Sequence, residues 1–257
     1  MHFYVVILVL LVLQVLFAVS SSADGNTTAK DDVCSCKGRH GYHIRFWMIK
    51  CKGRKRCQFG CFPGDAQLEL DNGRLIKMED LRPGHMVLTV QDGQRTFSEV
   101  RTFFKRQPKN NGTYRTLTTE QGNQVTMTDN HIIFVSSNNK STSMEARFAI
   151  SVKPGDYLFT TKGCQHGLCP EQVVQVSIGV NLGVYVPLTD SGTLVVDGML
   201  ASCYSFTNHD VEHFFTAPFR WFPWLLEPWL QDGHSPIMSS LEYLGEMFLP
   251  ETMKMLD

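Results

Sequence analysis

Apolar and polar residues alternate in short runs along most of this chain, and the runs stop at turn signals. "QLEL" and "RLIKM" flank Asp71-Asn72-Gly73, while "HMVLTV" and "QRTFSEV" flank a turn at Asp92-Gly93. A period of two predicts half-buried strands. Asn-Gly and Asp-Gly pairs predict tight hairpins, because these residues tolerate left-handed backbone. The device returns in "YRTLTTEQGNQVTMT" (114–128) and "YVPLTDSGTLVV" (185–196). No stretch of residues 61–207 sustains a helical period, so the predicted class is all-β.

The pattern is also duplicated. "LRPGHMVLT" (81–89) resembles "VKPGDYLFT" (152–160), and "SEV" at 98–100 and "EQV" at 171–173 lie a similar distance apart. "GNQVTMTDNHIIFV" (122–135) aligns with "GTLVVDGMLASCYS" (192–205) at an offset of 70. Three matches in one order predict a β module built twice, with pseudo-two-fold symmetry.

Both flanks differ from this module. Residues 1–23 hold an apolar run from Phe3 to Phe17 followed by small residues, with Ala18-x-Ser20 or Ser21-x-Ala23 as the cleavage signature. The run is short for a spanning helix, so it reads as a signal peptide, with an uncleaved anchor as the alternative. Residues 208–257 carry Trp221, Trp224 and Trp229, and Pro218, Pro223 and Pro228 interrupt any long helix. That composition predicts an aromatic, short-helix appendage. It either packs on the β module or serves as a membrane-interface or lipid-binding element, since Trp suits a boundary that is apolar on one side and wet on the other.

Charge separates the parts further. The 257 residues carry a formal net charge of −1. Residues 24–60 hold nine Lys and Arg against three Asp, a net +6, which leaves −7 for the rest. The basic segment suits acidic glycans, a receptor or an anionic surface, and export argues against nucleic acid. Four of the eight cysteines, Cys34, Cys36, Cys51 and Cys57, fall in it. In an oxidising compartment two disulfides would staple so small a segment; zinc, with His40 or His43, is the alternative. Cys164 and Cys169 could close a small loop, which leaves Cys61 and Cys203. Asn26, Asn111 and Asn139 head glycosylation sequons, and Arg54-Lys55-Arg56 is either a convertase site or a solvated basic run.

The boundary between the two compositions falls at Gly60-Cys61. A cysteine thiolate there can reach its own preceding carbonyl through a five-membered ring and turn the amide into a thioester. The amide is the more stable form, so the shift needs a strained or polarised peptide and a proton for the departing nitrogen. Gly60 has no Cβ to cover the carbonyl and tolerates unusual backbone angles. "TDNH" at 128–131 offers an imidazole, with a Thr hydroxyl three residues before it. Cys61 as half of an ordinary disulfide, with Cys57 or Cys203, and His131 as a structural histidine are the plain alternatives.

"GCF" at 60–62, "TDNH" at 128–131, "ASCYS" at 201–205, "VPLT" at 186–189 and "APFR" at 217–220 together resemble the autoprocessing domain of Hedgehog proteins, a Hint module whose fold is shared with inteins. The resemblance covers roughly residues 60–230. It implies the Hint fold, with Cys61 as the nucleophile, Thr128 polarising the scissile bond and His131 protonating the departing amine. Cys203 is similar to a second central cysteine linked to redox state or thiol exchange. It further implies attack on the thioester by the hydroxyl of cholesterol, with residues 208–257 as the sterol-recognition region. No resident cofactor or metal is implied; a sterol enters as co-substrate.

Two departures follow. The family carries an acid after "SEV", where this chain has Lys105. An ammonium donates and cannot accept the sterol proton, so thioester formation is expected without its usual partner for sterol attack, unless Asp129 or Glu99 substitutes. Upstream, residues 24–60 do not match the family's larger signalling domain. The expected organisation is a signal peptide (1–23), a basic Cys-rich secreted segment (24–60), a Hint module (61–207) and a lipid-recognition region (208–257). The competing readings are a disulfide-stabilised secreted binding protein on an inactive Hint scaffold, and a splicing intein, for which Asn208 followed by His209 is a poor end.

Overall fold

Glycine at left-handed positions sets the strand breaks of this chain. The computed structural model describes residues 60–138, 144–164, 167–205 and 209–225. Strands β1 (Gln67–Glu69) and β2 (Leu75–Lys77) form a two-stranded ribbon around the turn that contains Gly73, at φ 77°. Strand β3 (Met86–Gln91) turns into β4 (Gln94–Thr119) through Asp92 and Gly93, at φ 51° and 75°. Two successive left-handed residues make the turn whose twist matches that of a hairpin.

The main sheet is built on two long strands, β4 with 26 residues and β9 (Cys169–Thr189) with 21. They run antiparallel from the Val100–Thr189 pair to the Thr119–Val173 pair, with four register shifts on the way. Each shift bends the ribbon, which lets one strand belong to two parts of the molecule. Shorter strands complete the sheet: β5 (Gln124–Met127), β6 (Ile132–Ser136), β7 (Glu145–Phe148), β8 (Tyr157–Thr160), β10 (Thr193–Val196) and β11 (Met199–Ser202). The order is β10-β11-β6-β8-β9-β4-β3, with β5 on β4 and β7 on β6. The continuous apolar runs of β10 and β11 are buried at every position. One core cluster joins Leu88, Val90, Phe159, Val195 and Leu200, drawn from β3, β8, β10 and β11. Each such side chain contributes about 1.5–3 kcal/mol on burial.

The duplication is visible bond by bond. A 3-10 turn at Met78–Asp80 leads to buried Leu81, and another at Ala149–Ser151 leads to buried Val152. After them Gly84 donates to the Val100 carbonyl at 2.8 Å, and Gly155 to the Val173 carbonyl at 2.9 Å. In return Val100 donates to His85, and Val173 to Asp156. Gly122 and Gly192 each close the next turn onto Thr119 and Thr189. Beyond these glycines the offset falls from 70. β5 starts at Gln124 and β10 at Thr193, one residue closer to its glycine, and β6 starts at Ile132 and β11 at Met199, because the first half has two more residues between its strands.

After β11 come two short helices, α1 (His209–Phe215) and α2 (Ala217–Trp221), and a 3-10 turn at Pro223–Leu225. Pro218 sits in the first turn of α2, where its missing N–H costs nothing. Phe219 packs edge-on against Phe104 of β4, with centroids 6.0 Å apart. Phe214, Trp221, Phe222 and Trp224 are exposed. Among the described residues no helix is long and apolar enough to cross a membrane. The expected signal peptide, the basic segment and most of the aromatic region lie outside the described residues.

Candidate active site

The chain enters the site along β9. Phe62 donates to the Tyr185 carbonyl at 2.9 Å and accepts from the Tyr185 amide at 3.1 Å, and Gly64 donates to Leu182 at 3.0 Å. Phe62 is fully buried. These bonds hold Cys61, also fully buried, against the connection between β5 and β6. There the Cys61 amide donates to Thr128 Oγ1 at 2.8 Å, and the Thr128 amide returns a bond to the Cys61 carbonyl at 3.0 Å. The peptide nitrogen that would leave is therefore oriented by a hydroxyl from a distant strand end.

Residues 128–131 form a short loop braced by several backbone bonds. His131 donates to the Thr128 carbonyl at 3.1 Å, and the carbonyls of His131 and Asp129 accept from Ala149 and Ile150. The Asp129 carboxylate meets Arg115 Nε at 2.8 Å, which binds the loop to β4. Few local backbone groups are left to water, so the loop can hold an imidazole in one position.

His131 has no solvent exposure. Its Nε2 lies 2.8 Å from the Ser202 carbonyl. A carbonyl only accepts, so Nε2 carries the hydrogen and Nδ1 is the bare nitrogen. Phe62 packs on the ring at 4.1 Å. Nδ1 is buried without a hydrogen bond and faces Gly60. Burial lowers the His131 pKa to about 4, although the Ser202 and Gly60 backbones both favour the charged ring. The imidazole is neutral at pH 7.

Gly60 is fitted to this ring. A Cβ built there would lie 2.5 Å from Ser205 Cβ, 2.6 Å from His131 Cα and 2.8 Å from His131 Nδ1. Backbone angle is not the reason for glycine, since Gly60 is not among the positive-φ residues. Space is, because any side chain would push the scissile carbon away from the imidazole. The expected site residues Gly60, Cys61, Thr128 and His131 thus meet at one point.

The other expected residues have contacts of their own, and Cys203 lies between Ser202, which touches His131, and Ser205, which backs Gly60. Cys203 is buried just past β11, and its sulfur sits 3.3 Å from Thr189 Oγ1. Burial pushes its pKa up to about 11, against the pull of Thr189 and Arg220, so it stays a thiol. Cys61 and Cys203 are not joined to each other, whereas Cys164 and Cys169 are disulfide-bonded with Cα atoms 5.8 Å apart. Lys105 is half-buried on β4 opposite Val186, beside Phe104, which carries α2. The two carboxylates considered in its place are engaged elsewhere: Asp129 with Arg115, and Glu99 with Arg101 at 2.8 Å. Asn111 is exposed on β4 opposite Leu182. Asn26, Asn139, Cys34, Cys36, Cys51 and Cys57 lie outside the described residues.

Sequence reasoning missed three participants. Ser202 supplies the acceptor that sets the His131 tautomer, and Ser205 supplies the wall behind Gly60. Tyr114 is buried with its hydroxyl on the Gly183 carbonyl, 3.4 Å from the Phe62 carbonyl. Burial first, and then Cys61 and Asp65, keep its phenol protonated. Ser202 and Ser205 lie inside the quoted "ASCYS" run, which marks the segment, but a backbone acceptor and a packing wall have no residue-type signature that shows those roles.

A family model for the Hint module matches residues 53–242. An Indian hedgehog protein of Xenopus laevis is 37% identical over 150 residues, covering 57% of this chain and 36% of that protein. Its counterpart in Gallus gallus is 34% identical over 198 residues, covering 74% and 48%. Warthog protein 6 of Caenorhabditis elegans is 32% identical over 146 residues, covering 56% and 24%. The chain spans less than half the length of each of these relatives. Among solved structures, the Ssp DnaB mini-intein variant M86 is similar at a TM-score of 0.48 and 15% identity, over 59% of this chain and 98% of that one. The TvoVMA intein is similar at 0.46 and 18%, over 55% and 95%.

Proposed function

Since the chain belongs to the Hint module family, we propose that it is a self-processing precursor which cleaves its own Gly60–Cys61 bond. The observation that carries this is the placement of both sides of that bond. Thr128 holds the Cys61 nitrogen, and Gly60 lies against the bare Nδ1 of a neutral, buried His131.

The neutral ring fits the proton balance of an N-to-S acyl shift. The Cys61 sulfur forms a bond to the Gly60 carbonyl carbon, and the thiol proton passes to Nδ1. When the carbon–nitrogen bond breaks, Nδ1 returns that proton to the departing Cys61 amine. A ring already charged at pH 7 could not take the first proton. The Ser202 carbonyl steadies Nε2–H throughout and stabilises the transient imidazolium. The thioester then awaits a second nucleophile.

That nucleophile is a sterol hydroxyl, water or a small thiol. The exposed aromatic residues at 214–224 support a lipid-facing role for the C-terminal region. Lys105 stands where an acceptor for the sterol proton would be, so hydrolysis or thiolysis competes with sterol transfer in this chain. The secretory route is supported by the apolar leader and by the disulfide between Cys164 and Cys169. The released 24–60 peptide, at net +6, suits an acidic glycan or receptor surface.

The test is a denaturing gel of the full chain with and without millimolar dithiothreitol. Wild type is expected to yield two fragments, and Cys61→Ala none. An intact wild type that is folded under dithiothreitol leaves only the reading of an inactive Hint scaffold that binds. Mass spectrometry of the N-terminal fragment with cholesterol, for wild type and Lys105→Asp, separates the second steps. Lys105→Asp is expected to raise the rate of sterol attack by about 10²–10⁴-fold, the usual range for one general base, and with it the sterol-linked fraction.

A further inference from the structure

Ser202 touches the site with its carbonyl, but its hydroxyl points elsewhere. Oγ accepts from the Tyr204 amide at 3.0 Å and lies 2.9 Å from His209 Nδ1. Oγ can donate its hydrogen to Nδ1 or accept from it, according to the His209 tautomer, and either bond ties Ser202 to His209. That histidine is the first residue of α1, packed between Phe134 at 5.2 Å and Tyr204 at 5.3 Å and stacked on His213 at 6.0 Å. A second tie repeats the first. Arg220 and Thr216 donate to the Tyr204 hydroxyl at 3.0 and 3.1 Å, and that hydroxyl meets His213 Nδ1 at 2.8 Å. A third joins Glu212 to the Ser205 amide at 3.2 Å. Three residues of α1 therefore grip Ser202–Ser205, the segment that supplies both the acceptor for His131 and the wall for Gly60.

We infer that α1 is a positioning element for the acyl shift: His209, acting through Ser202, sets the ring of His131, and the region read as lipid-binding thereby begins with a part of the first chemical step. The inference rests on the self-processing reading above. Its physical basis is the tolerance of the reaction. The imidazole must reach both the thiol proton and the leaving nitrogen, and a misplacement of about 1 Å costs about 10²-fold in such arrangements. Strand pairing stops early here: β11 ends at Ser202, and beyond it the backbone is tied by Cys203 N–H to the Gly192 carbonyl and by the Tyr204 carbonyl, which accepts from Ile132.

The experiment uses the full chain throughout. Dithiothreitol cleavage rates are measured for wild type, Ser202→Ala, His209→Ala and His209→Asn. Ser202→Ala removes one hydroxyl and leaves the carbonyl, so it survives even if His209→Ala does not fold. Ser202→Ala and His209→Ala are expected to slow cleavage by about tenfold to a hundredfold. His209→Asn, whose side-chain amide can donate to or accept from Oγ in place of Nδ1, is expected to recover most of the rate. In parallel, the ring nitrogen resonances of His131 are recorded in uncleavable Cys61→Ala, with and without Ser202→Ala. The Nε2–H signal is expected to shift or broaden in the double variant, which a merely structural role for α1 would not produce. Wild-type rates in Ser202→Ala, or no recovery in a folded His209→Asn, overturn the inference. If wild type itself does not cleave, the self-processing reading falls, and an unchanged His131 signal would then overturn the positioning claim on its own.

Discussion

Two connections in this molecule occupy matching places in the duplicated module. One is Thr128–His131, between β5 and β6; the other is Asp197–Gly198, between β10 and β11. Both grip the start of the domain with the same reciprocal pair. Thr128 accepts from the Cys61 amide and donates to its carbonyl, at 2.8 and 3.0 Å. Asp197 accepts from the Gln67 amide and donates to its carbonyl, both at 2.9 Å. Yet nothing equips the Gln67 peptide to break. It has no thiol, and the second connection is a two-residue turn with φ 53° and 90° that has no room for a third side chain. The first connection has two more residues, and the last of them is the buried imidazole. Holding an amide is thus a structural device of the fold, used twice. In the proposed self-cleavage, chemistry begins where a thiol and a buried base are added to one copy.

Removing the base should make the first connection behave like the second. His131→Ala is expected to keep the Cys61–Thr128 pair and lose cleavage by dithiothreitol by about 10²–10⁴-fold, read on a denaturing gel. Near wild-type cleavage would show that the pair itself activates the bond. Gly60→Ala comes next. Its Cβ meets His131 Cα, a backbone atom that cannot step aside, so the scissile carbon must move. A rate loss of about 10²-fold is expected, along with about 1–3 kcal/mol of overpacking seen in thermal melts. Thr128→Ala removes one acceptor and should cost about fivefold in rate, the equivalent of one hydrogen bond of about 1 kcal/mol.

Acid should act on the chemistry-bearing half first. His131 and His209 both have pKa values lowered by burial from 6.5 to about 4. The unfolded chain therefore binds protons that the folded chain refuses, and stability is lost as pH falls from about 6.5 toward 4. The slope is about 1.4 kcal/mol per pH unit for each histidine. Denaturant melts of Cys61→Ala across this range check it, and His131→Ala should flatten the curve. The smallest effect on cleavage is expected at the second connection. Gly198→Ala forces a side chain to φ 90° and pushes the flexible Lys162 side chain aside, and should cost about 1–3 kcal/mol in a melt, with cleavage unchanged. A loss of cleavage there would mean that the two halves are coupled more tightly than their bonds suggest.

What the sequence determined by itself is local. Alternation and Asp-Gly, Asn-Gly and Pro-Gly signals specify strands and turns within a few residues, because they act through backbone angles and one exposed face. Four residues of the site could also be read there, since thiol, hydroxyl, imidazole and a missing Cβ are properties of residue type. The repeat was legible as far as Gly122 and Gly192; it slipped beyond them because the first half has one more residue before β5 and two more between β5 and β6, the connection that carries His131. Tertiary structure alone decided which atoms complete that site. Ser202 lies 71 residues from His131, and it contributes a backbone carbonyl that every residue type possesses. Ser205 matters as a wall, Tyr114 as a buried phenol, and His209 through a serine hydroxyl. Such roles arise only when the crossing of β4 and β9 brings the two halves together, because distance and burial, not residue type, give those atoms their effect.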